Sequence, residues 1–89
     1  MKILKVSANT RPNSIAGAIA GIIREEGRVQ IQTIGAAALN QTIKGIAIAR
    51  GYIAPTGKEV ICIPFFKDIE VNKETKTAIV LTVETKPME

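Results

Sequence analysis

Apolar and polar positions along the chain divide it into alternating strand-like and helix-like segments. Ile3-Leu4-Lys5-Val6 is a short β-forming run, and Asn9-Thr10-Arg11-Pro12-Asn13 supplies a turn after it. Ile15, Ile19, Ile22 and Ile23 then recur at i, i+4, i+7 and i+8, the spacing of one buried helical stripe. The pattern predicts a helix capped by Asn13 or Ser14 and closed by Gly27 after Glu26. Gly17 and Gly21 fall on its far side and read as places where another backbone comes close, since each costs about 1 kcal/mol of helix propensity relative to Ala.

Val29-Gln30-Ile31-Gln32-Thr33-Ile34 alternates with a period of two, which predicts a second strand ended by Gly35. From Gly35 a second helix is expected, with Leu39, Ile43, Ile46 and Ile53 on its buried face, Gly51 at its C-terminus and Pro55 preventing continuation. On the opposite side lie Ile48 and Tyr52, near Ala37, Gln41 and Lys44. Val60 to Phe66, with Ile69 and Val71, then a turn at Asn72-Lys73 and the run Thr77 to Val83, read as a long hairpin. Pro64 cannot donate to a ladder and so predicts a bulge or an edge strand. The order is β-α-β-α-β-β. Right-handed crossovers put both helices on one face of a four-stranded mixed sheet, an α/β (α+β) two-layer sandwich over residues 1–84 with a tail at 85–89.

Composition adds constraints. The 89 residues support one core. With no Trp, one Tyr and two Phe, that core is built from Ile, Val, Leu and Ala. There is no His, which removes the commonest metal ligand and the usual neutral-pH acid/base, and no nucleophile and base stand at a recognisable spacing. The expectation is a protein that is not an enzyme and uses no cofactor or metal. Gly17 to Gly21 lies inside a helix and is not a dinucleotide-binding turn. Cys62, alone in an apolar run, reads as packing. Met1 to Lys5 has no apolar stretch of signal-peptide length and no segment approaches a membrane span, so a cytoplasmic protein without membrane contact is expected.

Net charge is +4, unevenly distributed. Residues 1–58 hold eight Lys/Arg against two Glu, and residues 59–89 hold four Lys against six acids. Parallel pairing of the first two strands brings the loops after them, and both helix N-termini, to one sheet edge. Free backbone N–H groups and the positive helix ends favour an anion there. Ser7, Asn9, Arg11, Asn13 and Ser14 add donors at the first turn, and Gly35, Asn40, Gln41 and Lys44 at the second. A small monomer has little material to cover both sides of the second helix. Ile48 and Tyr52, with Phe65, are therefore the expected homodimer interface.

Lys5-Val6-Ser7-Ala8, Pro12 to Gly21, Ile34-Gly35-Ala36, Ala38-Leu39-Asn40-Gln41, Ile46 to Gly51 and Ile61-Cys62-Ile63-Pro64 together resemble the stage V sporulation protein S family across nearly the whole chain. That family resembles the Alba chromatin proteins in fold and, more distantly, the C-terminal domain of translation initiation factor three. The resemblance implies a sporulation regulator that binds DNA or RNA as a homodimer. It also implies contacts from the first loop, the start of the second helix and the hairpin arm. Two departures weaken the electrostatics: Arg11 stands alone where Alba has adjacent lysines, and residues 67–76 balance three Lys against three acids where Alba's arm is basic. The alternative is a protein-interaction adaptor or small-anion-binding module in spore development.

Overall fold

The structure, a computed structural model, describes residues 1–88. Strand β1 (Ile3–Val6) leads to helix α1 (Pro12–Glu26), strand β2 (Arg28–Thr33) and helix α2 (Ala36–Ile53). A 3-10 turn (Ala54–Thr56) then precedes strands β3 (Lys58–Val71) and β4 (Glu74–Pro87). The sheet order is β1-β2-β4-β3, with β1 and β2 parallel and the other pairs antiparallel. The expected two-layer α/β sandwich is the architecture found.

Cross-strand partners share a face of a sheet, so the register sorts the residues. Val6 beside Thr33, Val29 beside Val83 and Ile31 beside Leu81 place one apolar face under the helices. Val6, Val29, Ile31 and Val83 form a single core cluster with Ile15, Ala16, Ile19, Ile22 and Ile23 of α1 and Ala38, Ala49 and Ile53 of α2. Burying each of the larger aliphatic side chains contributes roughly 1.5–3 kcal/mol. The two fully buried hydroxyls are satisfied: Thr33 Oγ1 donates to the Ile79 carbonyl at 2.8 Å and Thr42 Oγ1 to the Ala38 carbonyl at 2.9 Å.

Helix α1 begins earlier than its cap residues predict. Arg11 is the N-cap, Pro12 takes the first helical position, and neither Asn13 nor Ser14 caps. Proline suits that position because its φ is already helical and its missing N–H would have no partner there. Gly27 closes the helix at φ 83°, as expected.

The buried face of α2 differs from the one that large apolar residues predict. Ala38, Thr42, Gly45, Ala49 and Ile53 are buried, Leu39 and Ile46 are half-buried, and Ile43 is 46% exposed. Small residues win because α2 packs close to α1: a Cβ added to Gly45 would lie 2.6 Å from Ile15 Cγ2 and 3.2 Å from the Pro12 carbonyl oxygen. That close approach falls at Gly45 rather than at Gly17 or Gly21, where an added Cβ would meet nothing within 4 Å. Gly51 does not end the helix either; it runs to Ile53, and Gly57 at φ 80° stops the following turn.

The hairpin keeps one continuous register from Lys58↔Pro87 to Val71↔Glu74. Pro64 therefore marks an edge strand, with no bulge. Residues 85–87, expected as tail, continue β4 opposite Val60, Glu59 and Lys58; Glu89 lies outside the described residues. Pairing of β2 with β4 stops at Thr33↔Ile79, so residues 67–78 pair only with one another and project as an arm, which accounts for a long axis of 44 Å. Asn72 and Lys73 turn the arm with φ of 52° and 66°. Left-handed backbone at both central residues is the geometry of a type I′ hairpin turn.

Candidate nucleic-acid interface

Parallel β1 and β2 release their loops at the same end of the sheet, because Val6 and Thr33, their last residues, are register partners. A direct contact joins the two regions: Gln41 Nε2 donates to the Thr10 carbonyl at 3.0 Å. The first loop is braced internally. Thr10 N–H donates to the Ser7 carbonyl at 3.1 Å, Ser7 N–H to Thr10 Oγ1 at 3.0 Å, and Asn9 N–H to Ser7 Oγ at 3.3 Å. Ser7 thus shapes the loop, with Asn9 exposed at its tip.

Neither helix has a side-chain cap at its N-terminus. At α1 Pro12 carries no N–H and Ser14 N–H donates to the Arg11 carbonyl at 3.0 Å, so the positive end of the helix dipole, more than free amides, favours an anion there. At α1 the surroundings agree. Arg11, Pro12, Asn13, Ser14, Lys44, Ala47 and Ile48 line one open concavity of about 650 Å³, with no carboxylate among them. Neither Arg11 nor Lys44 is in an ion pair among the described residues. Four residues predicted from sequence, Arg11, Asn13, Ser14 and Lys44, therefore meet in one place. Pro12 and Ala47 were missed, and Ile48, expected at the dimer interface beside Lys44, lines this concavity instead; Ala47 and Ile48 follow Lys44 at i+3 and i+4, a spacing that marks them as its neighbours.

The start of α2 does not join that concavity. Gly35, at φ 89°, lies in a second depression with Thr33, Ala36, Leu39, Phe66, Thr77 and Ile79, a mostly apolar surface at the base of the arm. Asn40 is exposed on α2, and Gln41 is committed through its amide nitrogen to Thr10.

The three residues named for a dimer contact do not share one surface. Ile48 is half-buried and packs against the core, and Tyr52 is 48% exposed beside Arg24 at the far end of α2. Phe65 pairs with Val80, opposite Gln32, on the sheet face away from the helices. Exposed apolar area gathers around Phe65 and Phe66, which line one depression with Pro64 and Ile79; Phe66, 78% exposed, also lines a second with half-buried Leu39, and exposed Ile43 follows one turn along α2.

The arm is electrically divided. Asp68 and Glu70 alternate onto the helix-side face with Thr75 and Thr77, whereas Lys67 and Lys76 lie on the other with Ile69, Val71 and Glu74. Thr77 Oγ1 and Asp68 Oδ1 are 3.1 Å apart. Arg50 is not a free cation: its Nε and Nη2 donate to Glu59 at 2.6 and 3.0 Å. These bonds hold the Glu59 carboxyl below its ordinary range and raise Arg50. No group of three or more metal-ligating side chains occurs among the described residues, and no helix is long and apolar enough to cross a membrane.

The family model of stage V sporulation protein S matches residues 2–86. The chain belongs to the stage V sporulation protein S family. That membership ties it to sporulation. Among solved structures, Alba from Thermoplasma volcanium superposes with a TM-score of 0.62 at 9% identity, covering 96% of this chain and 99% of that one. At such identity the likeness is one of fold, and it extends over the complete β-α-β-α-β-β order of this stage V sporulation protein S family member.

Proposed function

We propose that this chain is a non-enzymatic regulator of sporulation that binds DNA or RNA in the cytoplasm as a homodimer, chiefly through phosphates. The observation that carries the reading is the meeting of Arg11, Lys44 and the uncapped start of α1 in a concavity without a carboxylate. The positive end of α1 and two unpaired cations match the chemistry of a phosphate. The Alba fold and the membership in a sporulation family support the same reading. Two cations in one concavity predict modest, salt-sensitive affinity, and phosphate contacts of this kind carry little sequence information.

The dimer is assigned to the flank formed by Leu39, Ile43 and Phe66, where exposed apolar side chains cluster. The arm's balanced charge fits a regulator better than a chromatin packager.

Titration of labelled duplex and single-stranded oligonucleotides at low and moderate salt tests the reading. Binding should weaken steeply with salt, and Arg11→Ala and Lys44→Ala should each reduce the log-log salt slope by about 1. No binding at low ionic strength, or affinity indifferent to both substitutions, would return the chain to the protein-adaptor alternative.

A further inference from the structure

Helices α1 and α2 lie side by side and run in the same direction. The start of α1 meets the middle of α2, where Gly45 abuts Ile15 and Pro12, and near the ends of both helices Ile23 lies with Tyr52 and Ile53 around a common concavity. At the helical repeat, positions 13, 17 and 24 of α1 fall close to one line, and positions 44, 48 and 52 of α2 form an i+4 row inclined to its axis. Gly17 leaves its row open, with nothing within 4 Å of an added Cβ. A concavity sits at each end of the seam. The first holds Arg11 and Lys44; the second is lined by Ile23, Arg24, Tyr52, Ile53, Thr56 and Lys58.

The second concavity has the chemistry of a stacking platform. Its floor is the buried pair Ile23 and Ile53, its half-exposed aromatic is Tyr52, and its two cations, Arg24 and Lys58, have no ion-pair partner among the described residues. The nearby acids are engaged elsewhere. Glu25 and Glu26 each lie 3.8 Å from Lys2 Nζ, and Glu59 is held by Arg50. The negative ends of both helix dipoles lie at this end, so Arg24 and Lys58 supply the positive potential that the backbone does not.

We propose that the α1–α2 seam is a single-strand track, on which a strand held by phosphate at Arg11 and Lys44 places a base against Tyr52 between Arg24 and Lys58. This rests on the nucleic-acid reading above and names the form of nucleic acid that the site takes. Lys44 and Tyr52 are eight residues apart on one helix, about 12 Å at 1.5 Å per residue. A single strand of a few nucleotides covers that span. In a duplex the bases are paired and stacked, so a duplex reaches the cations and leaves the ring unused.

The chain supplies its own probe, because Tyr52 is its only tyrosine and it has no tryptophan. Short single strands of thymidylate and a duplex of equal length are titrated while labelled-strand anisotropy and Tyr52 fluorescence are followed together. The single strand should quench Tyr52 and the duplex should not. Tyr52→Ala should weaken single-strand binding about 10-fold, with Tyr52→Phe near wild type and duplex affinity unchanged. Arg24→Ala with Lys58→Ala should lower the single-strand salt slope by about 1.4. Circular dichroism checks that each variant is folded. Single-strand binding that depends on Arg11 and Lys44 but neither quenches Tyr52 nor responds to Tyr52→Ala overturns the track and leaves the proposed function standing. Absence of any nucleic-acid binding overturns both.

Discussion

Gln41 Nε2 donates a 3.0 Å hydrogen bond to the carbonyl oxygen of Thr10, tying the second turn of α2 to the loop that follows β1. The bond links the element that carries Lys44 to the loop that carries Arg11. Gln41→Ala should cost about 1 kcal/mol in denaturant unfolding, the ordinary net value of such a bond. It should also raise amide exchange at residues 8–11 and weaken nucleic-acid binding severalfold. Unaltered exchange in that loop would show that its internal Ser7 and Thr10 bonds suffice.

Gly45 is the tightest point of the helix pair. Its missing side chain leaves room for Ile15, whose Cβ and Cγ2 would lie 2.7 and 2.6 Å from an added methyl. Although alanine favours a helix by about 1 kcal/mol over glycine, overpacking of this kind costs about 1–3 kcal/mol, so Gly45→Ala should destabilise on balance. Gly17→Ala, which meets nothing, should stabilise. Thermal melts of the two variants should therefore move in opposite directions, and equal shifts would contradict the packing described.

At the tip of the arm Lys73 holds φ of 66°, a conformation that costs a side-chain-bearing residue energy and glycine very little. Lys73→Gly creates the Asn-Gly pair that type I′ turns favour and should stabilise by about 0.5–1 kcal/mol. A melting temperature equal to or below wild type would argue against that turn.

Arg50 donates two hydrogen bonds to Glu59, and this pairing is the largest cause of the lowered Glu59 carboxyl. A folded-state value below the unfolded one means that the contribution is present above the unfolded pKa and fades as pH falls through the folded value. The complementary loss for Arg50, whose folded value is raised, lies at strongly alkaline pH. Arg50 is exposed and Glu59 only partly covered, so the effect on stability should be small and salt-sensitive. Titrating the Glu59 side-chain carbon signal by NMR should show its midpoint rise in Arg50→Ala. Because Arg50 is already paired, the same variant should disturb nucleic-acid binding less than Arg11→Ala.

For assembly, Ile43→Glu should convert a sedimenting dimer to monomer at micromolar concentration, since it charges the exposed apolar flank. Ile48→Glu should instead lower stability, because Ile48 packs against the core, and Tyr52→Ala should leave the dimer intact. A dimer that survives Ile43→Glu would move the interface away from this flank.

The amphipathic period of α1, the alternation of β2 and the two-residue turn of the hairpin are local properties, and a reader of the chain alone recovers them with the complete element order. The buried residues Ile15, Ile19, Ile22 and Ile23 are the ones that their spacing indicates. Arg11, Asn13, Ser14 and Lys44, named together from the sequence, line one concavity. Tertiary structure decided what depends on distance between elements. Close packing of α2 on α1 selects Ala38, Thr42, Gly45 and Ala49 over the larger Leu39 and Ile43, which turns the helix away from its most hydrophobic face. That rotation leaves Ile43 exposed and tucks Ile48 against the core. It also separates Gly35 from Arg11. No one-dimensional pattern carries this choice, because hydrophobicity ranks side chains by transfer from water, whereas a close helix contact ranks them by the space they leave.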